Sequence, residues 1–129
     1  MKLFLDDLRV LEEAHSYMMD DIYLQDDWVI VRNYDQFCEY IKNNPLPDLI
    51  SFDHDLADEH YDINEYKSGV IDYDKYKEKT GFECAKYLMQ HCLDTKQELP
   101  NIIVHSMNYI GKDNILSYFR QFDTVKNMV

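Results

Sequence analysis

Four short apolar runs limit most strongly what this chain can fold into: Lys2-Leu3-Phe4-Leu5, Trp28-Val29-Ile30-Val31-Arg32, Asp48-Leu49-Ile50-Ser51-Phe52 and Asn101-Ile102-Ile103-Val104. They are nearly continuous rather than alternating, the pattern of strands buried on both faces. Between them the apolar period changes to that of a helix. Asn33 is placed to cap a helix carrying Tyr34, Phe37, Tyr40 and Ile41, and Pro45-Leu46-Pro47 stops it. Thr80-Gly81-Phe82-Glu83 has the form of a capping box, opening a helix with Phe82, Ala85, Leu88, Met89 and Cys92 on its inner side. A last helix, roughly 112 to 122, presents Ile115, Leu116, Phe119 and Phe122, and Thr124-Val125-Lys126 reads as a short fifth strand. Strands alternating with helices predict an α/β domain built on a parallel sheet with both faces covered.

A chain of 129 residues suits one domain, here residues 1–129, and can bury roughly two thirds of the surface its unfolded form exposes. Cys38, Cys84 and Cys92 form no CxxC pair and leave one over, which suits a reducing compartment and small buried apolar roles. Only Lys2 precedes three apolar residues at the amino terminus, and no stretch approaches the roughly 20 apolar residues of a membrane span, so a cytoplasmic location is expected. The net charge of -12 repels a polyanion, which argues against binding extended nucleic acid but leaves a small phosphorylated ligand or one RNA terminus open if a metal supplies positive charge. Two segments fit the alternation poorly. Leu11 to Met19 reads as a short helix or, with the following acids, as an irregular loop. Residues 57–79 form an acidic insertion with Tyr61, Tyr66, Tyr73 and Tyr76, either a solvated surface excursion or a substrate-covering lid.

Polar residues follow three of the apolar runs. Asp6-Asp7 follow the first, Asp53-His54-Asp55 the third and His105-Ser106 the fourth. In an open parallel sheet ligands bind at the carboxyl ends of the strands, so these side chains are expected to converge. Clustered carboxylates repel one another unless a cation joins them, and aspartate oxygens suit Mg²⁺ or Mn²⁺, while the histidines leave Zn²⁺ or Fe²⁺ open. Each residue also has a plain structural role open to it: Asp7 as a helix cap, His105 as a satisfied core histidine, Asp55 as a turn residue.

LFLDDLR, WVIVRNYDQF, ISFDHDL, TGFECAKYL and IIVHSMNYIGKDNI resemble, in that order, the cyclic-phosphate processing receiver domain family, a divergent branch of the response-regulator receiver fold. The resemblance implies a flavodoxin-like three-layer fold with a five-stranded parallel sheet in the order 2-1-3-4-5. By similarity to receivers, Asp6 and Asp7 match the metal-binding acidic pair, Asp53 the phosphoacceptor and Ser106 the hydroxyl residue after the fourth strand. His54, Asp55, His105 and Asn108 match the additions that mark this branch. Lys126 stands where the receiver lysine is sought, although no proline follows it. Seven residues follow Phe122, too few for a fifth strand and a final helix, so that helix is expected to be absent.

The resemblance implies processing of cyclic phosphates, either RNA 2′,3′-cyclic ends or cyclic nucleotides, by a metal-dependent phosphoesterase. Asp6, Asp7, Asp53 and Asp55 are the candidate metal ligands. Asp53, His54 and His105 are the candidate catalytic residues, with one histidine deprotonating water and the other protonating the departing ribose oxygen. Ser106 and Asn108 are candidate donors to phosphate oxygens. Asp53 is open to a second role as nucleophile. The alternative function is a noncatalytic degenerate receiver or phospho-ligand-binding module.

Overall fold

The computed structural model describes residues 1–60 and 63–128, without the side chains of residues 58, 63, 64 and 66. The expected contributions of Tyr61 and the Tyr66 side chain therefore lie outside the described residues. Strands β1 (Lys2–Leu5), β2 (Trp28–Val31), β3 (Leu49–Phe52) and β4 (Asn101–Val104) form one parallel sheet in the order β2-β1-β3-β4. Helices α1 (Leu11–Met18), α2 (Tyr34–Asn43), α3 (Ile63–Ser68), α4 (Gly81–Thr95), α5 (Tyr109–Phe119) and α6 (Phe122–Asn127) connect or follow them.

Alternation along the strands assigns the two faces. Leu3, Leu5, Val31, Ile50, Phe52 and Val104 pack against Phe37 and Ile41 of α2, Ala85, Leu88 and Cys92 of α4, and Ile115 and Phe119 of α5. The opposite face holds Phe4, covered by Ala14 of α1 and by Tyr23 from a 3-10 turn, Asp21–Leu24. Tyr23 and Trp28 both meet the Phe4 ring edge-on, at 6.1 and 6.0 Å. Helices thus cover both faces, the three-layer arrangement of a receiver-like α/β fold.

Local signals explain most boundaries. Asn33 accepts from Gln36 N at 2.9 Å, capping α2, and Thr80 accepts from Phe82 N while Glu83 accepts from Thr80 N, closing the capping box of α4. Of the two readings of Leu11 to Met19, the helix is correct; Met19 ends it in the left-handed region, with φ 55°. All three cysteines are free, with Cys84 and Cys92 buried.

The carboxyl terminus corrects the expected topology. Thr124, Val125 and Lys126 lie in α6, not in a fifth strand, so the described sheet has four strands and the chain ends in a short helix. The cause lies upstream. Asn108 caps α5 by accepting from Gly111 N at 3.0 Å, so the helix starts at Tyr109 rather than near Lys112 and ends early enough for Phe122 to turn back into the core. Val125 N then bonds to Gln121 O in a helical turn instead of a sheet ladder.

Two glycines let helices approach the strand ends closely. A Cβ on Gly81 would stand 1.9 Å from the Asp53 carbonyl oxygen, and one on Gly111 would stand 2.2 Å from Cγ of His54. We expect Gly81→Ala and Gly111→Ala each to cost about 1–3 kcal/mol or more in chemical denaturation, with Gly81→Ala the worse because backbone cannot swing aside. Wild-type stability in both variants would mean that α4 and α5 sit farther from the sheet.

Candidate functional site

Phe4 of β1, Ser51 of β3 and Ile103 of β4 lie side by side on the α1 face. Two residues beyond each, on the same face, come Asp6, Asp53 and His105. One ligand atom from each of these three lies within 4.8 Å of the others, and all three residues are buried. The expected convergence of strand ends is thus present for this trio.

Asp6 is the most heavily bonded of the three. Its Oδ1 accepts from Leu8 N at 3.0 Å and Arg9 N at 2.8 Å, and its Oδ2 lies 3.0 Å from His105 Nε2. Burial pushes its pKa up, but the His105 and backbone hydrogen bonds outweigh burial and hold it at about 2. Asp53 is its opposite. Burial, reinforced by the charge of Asp6, raises it to about 8 despite the nearby Arg9 guanidinium. Its Oδ2 is buried and has no hydrogen-bond partner among the described residues. Asp7 is half-buried and its pKa is raised by burial and by Asp6, but it is not one of the trio.

His105 is fully buried, and both of its ring nitrogens are engaged. Nδ1 lies 2.7 Å from Ser51 Oγ, which lies 2.8 Å from the Tyr23 hydroxyl. Its ring stacks on Phe4 at 4.5 Å, and its carbonyl accepts from Tyr17. Burial lowers its pKa, although Asp6 acts against that. An ionised Asp6 can only accept, which assigns the ring proton to Nε2.

Arg9 supplies the positive charge. Its Nη1 stands 3.5 Å from Asp6 Oδ2 and 3.9 Å from Asp53 Oδ2, while the guanidinium lies over the Tyr17 ring and Nη2 contacts Met107 Sδ at 3.3 Å. Arg32 fixes the loop beneath it through the carbonyls of Asp6 and Arg9, at 3.1 and 2.6 Å. Lys126 is not at this end of the sheet. It pairs with Glu98, just before the amino end of β4.

A second network occupies the other side of β3. His54 is fully buried, with Nδ1 2.7 Å from Asp55 Oδ1 and Nε2 2.8 Å from the Tyr73 hydroxyl. Asn108 Nδ2 donates to the same Asp55 oxygen at 3.0 Å, and Asn114 Nδ2 donates to Tyr73 at 3.0 Å. Ser106 is buried beside them and accepts from Asn108 N at 3.1 Å. Consecutive residues of an extended chain point to opposite faces, so Asp53 and His54 enter different networks. The two histidines therefore do not meet as a pair, and Asp55 partners His54 and Asn108 rather than the trio.

The Tyr-rich segment is anchored where it leaves and rejoins the fold. His60 accepts from Leu56 N at 2.8 Å and donates to Glu78 O at 2.9 Å. Tyr73, in the 3-10 turn Tyr73–Lys75, stacks on Phe82 and covers His54. Sequence reasoning missed Arg9, Ser51, Tyr23 and Tyr73 as parts of the site. For Ser51 there was a readable signal, a polar residue inside an apolar strand; Arg9 closes the LFLDDLR motif.

Two carboxylates and an imidazole make a donor set fit for a divalent cation, and Asp53 Oδ2, which has no hydrogen bond among the described residues and only the Arg9 guanidinium at 3.9 Å, would be satisfied by a closer positive charge. A parallel α/β sheet with acids gathered at its strand carboxyl ends defines a receiver-like domain. The chain belongs to the cyclic-phosphate processing receiver domain family, which it matches over residues 1–121. No curated protein and no solved structure matches it. No helix of the described residues is long and apolar enough to cross a membrane.

Proposed function

We propose that the domain hydrolyses a cyclic phosphate ester, an RNA 2′,3′-cyclic end or a cyclic nucleotide, with a divalent cation held by Asp6, Asp53 and His105. The observation that carries this reading is the buried Oδ2 of Asp53, which has no hydrogen bond among the described residues, beside Asp6 and His105. Mg²⁺ or Mn²⁺ suits the two carboxylates, and the imidazole also suits Zn²⁺ or Fe²⁺. When bound there, such an ion would supply charge neutralisation at the phosphate. Water adds to phosphorus, one ribose oxygen leaves with a proton, and a phosphomonoester results.

The chain's own residues divide the remaining work. Arg9 can turn from the carboxylates to a nonbridging phosphate oxygen, and the Ser106 hydroxyl has a proton to donate. Only His105 faces the two carboxylates, so it is assigned to the ion and proton exchange to His54. Asp55 holds its Nδ1, and its Nε2 meets the Tyr73 hydroxyl. Asn108 steadies Asp55 rather than reaching the phosphate. A proton keeps Asp53 neutral until a cation displaces it, and we assign it the role of ligand.

A second reading draws on how closed the centre is, with Asp6, Asp53 and His105 at most 2% exposed. A noncatalytic receiver that takes a phosphoryl group on Asp53 or binds a phosphorylated ligand needs less access. Incubation with Mg²⁺ or Mn²⁺ and a panel of 2′,3′-cyclic mononucleotides, cyclic-phosphate RNA ends and cyclic dinucleotides separates the two. We expect ring-opened product, and His54→Ala to lower turnover on the order of 10²- to 10⁴-fold. Stable label on the protein without product would establish the receiver reading instead.

A further inference from the structure

Ser51 is an unusual residue for its position. It lies inside strand β3, fully buried, with Phe4 and Ile103 beside it across the sheet. A hydroxyl buried there without partners would be costly. This one links the Tyr23 hydroxyl, 2.8 Å away, to His105 Nδ1, 2.7 Å away, and His105 Nε2 continues the chain to Asp6 at 3.0 Å. All four residues are buried, and the Phe4 stack fixes the plane of the imidazole.

With Asp6 as an ionised acceptor, the chain runs in one direction. Nε2 carries the ring proton, Nδ1 accepts from the Ser51 hydroxyl, and the Ser51 oxygen accepts from Tyr23. A cation shared with Asp6 and Asp53 needs the opposite ring. Only Nε2 faces the carboxylates, and it must offer a lone pair, so the proton must sit on Nδ1. A hydroxyl serves both arrangements, because it accepts as readily as it donates.

We propose that Ser51, backed by Tyr23, is the positioning residue that lets His105 change from hydrogen-bond donor of Asp6 to metal ligand. The Nε2 proton is released to solvent as the ion takes its place, one proton from solvent is taken up at Nδ1, the charge of the ring is unchanged, and the Ser51 hydroxyl keeps its own proton and turns from donor to acceptor. The inference rests on the metal-site reading above. An alanine in place of Ser51 leaves the loaded state with a buried, unpartnered Nδ1–H.

Two measurements test it: Mn²⁺ affinity by calorimetry, and the His105 ring tautomer by nitrogen NMR with diamagnetic Zn²⁺. In the wild-type protein, Zn²⁺ is expected to move the ring proton from Nε2 to Nδ1. Ser51→Ala is expected to weaken Mn²⁺ roughly 10- to 100-fold. Tyr23→Phe keeps the Ser51 acceptor and is expected to stay within about threefold of wild type. Should Ser51→Ala fail to fold, the wild-type tautomer decides alone. A folded Ser51→Ala that binds Mn²⁺ like wild type overturns this inference but leaves the metal site standing, whereas a ring that keeps its Nε2 proton with Zn²⁺ bound overturns it and also removes His105 from the ligand set. Absence of any ion binding by wild type overturns both.

Discussion

Metal-free protein is expected to lose stability as the pH rises from about 6.5 to 8, and Asp53→Asn to remove that slope. Burial raises Asp53 to about 8, far above its value in an unfolded chain. Between those two values the folded state holds a proton that the unfolded state has lost, so stability falls as pH rises and levels off above the folded pKa. The raised Asp7 acts in the same direction. His105 acts oppositely at lower pH, since its lowered folded pKa makes the unfolded chain bind more protons and its contribution is complete above about 6.5. Asp6, held at about 2, contributes fully above about 4 and is lost only as the pH falls toward 2. The upper window therefore isolates Asp53. A fall of about 2 kcal/mol across it, or on the order of 5 to 10 °C in melting temperature, is the expected size. Mn²⁺ at pH 8 should restore the loss in wild type and do little for Asp53→Asn, because the ion and the carboxylate satisfy each other. A metal-free melting temperature that stays level from pH 6.5 to 8 would mean that Arg9 alone keeps Asp53 ionised.

How much of this was readable from sequence follows from periodicity. Strand direction and the α2 and α4 caps rest on local patterns that the fold keeps, whereas the β2-β1-β3-β4 neighbours were implied by the family resemblance. The fifth strand failed because three residues with two β-branched side chains cannot outweigh the helical turn imposed by an upstream cap. In the site, a period of two was enough to bring together Asp6, Asp53 and His105, two positions beyond aligned strand residues. The same period separates His54 from Asp53, although in sequence they look like one cluster. Tyr73 and Tyr23 were not readable as partners, because they reach His54 and Ser51 from segments whose path no strand or helix pattern fixes. Arg9 carries no signal of its own in the sequence, because a lone arginine among 13 basic residues is ordinarily exposed.

Arg9 leads to the other large expected effect, which has two parts of opposite sign. Its guanidinium occupies the positive position beside Asp6 and Asp53 that a cation would also seek. Arg9→Ala removes that competitor, so Mn²⁺ should bind about tenfold more tightly or better. The same variant lacks the group proposed to bind the phosphate, and turnover should fall on the order of 10²- to 10³-fold, mostly in kcat if the contact strengthens as the phosphate ring opens. Arg9→Lys keeps the charge but not the planar fork, and should fall between wild type and Arg9→Ala on both measures. The backbone bonds of Arg9, to the Asp6 carboxylate and from Arg32, survive either substitution, so the loop is expected to hold its path. A purely structural Arg9 predicts a different pattern: a lower melting temperature, weaker Mn²⁺ binding and unchanged turnover per folded, metal-loaded molecule. Calorimetry and steady-state kinetics on one preparation distinguish these patterns, since only a cation that exchanges places with the metal makes binding tighter while catalysis worsens.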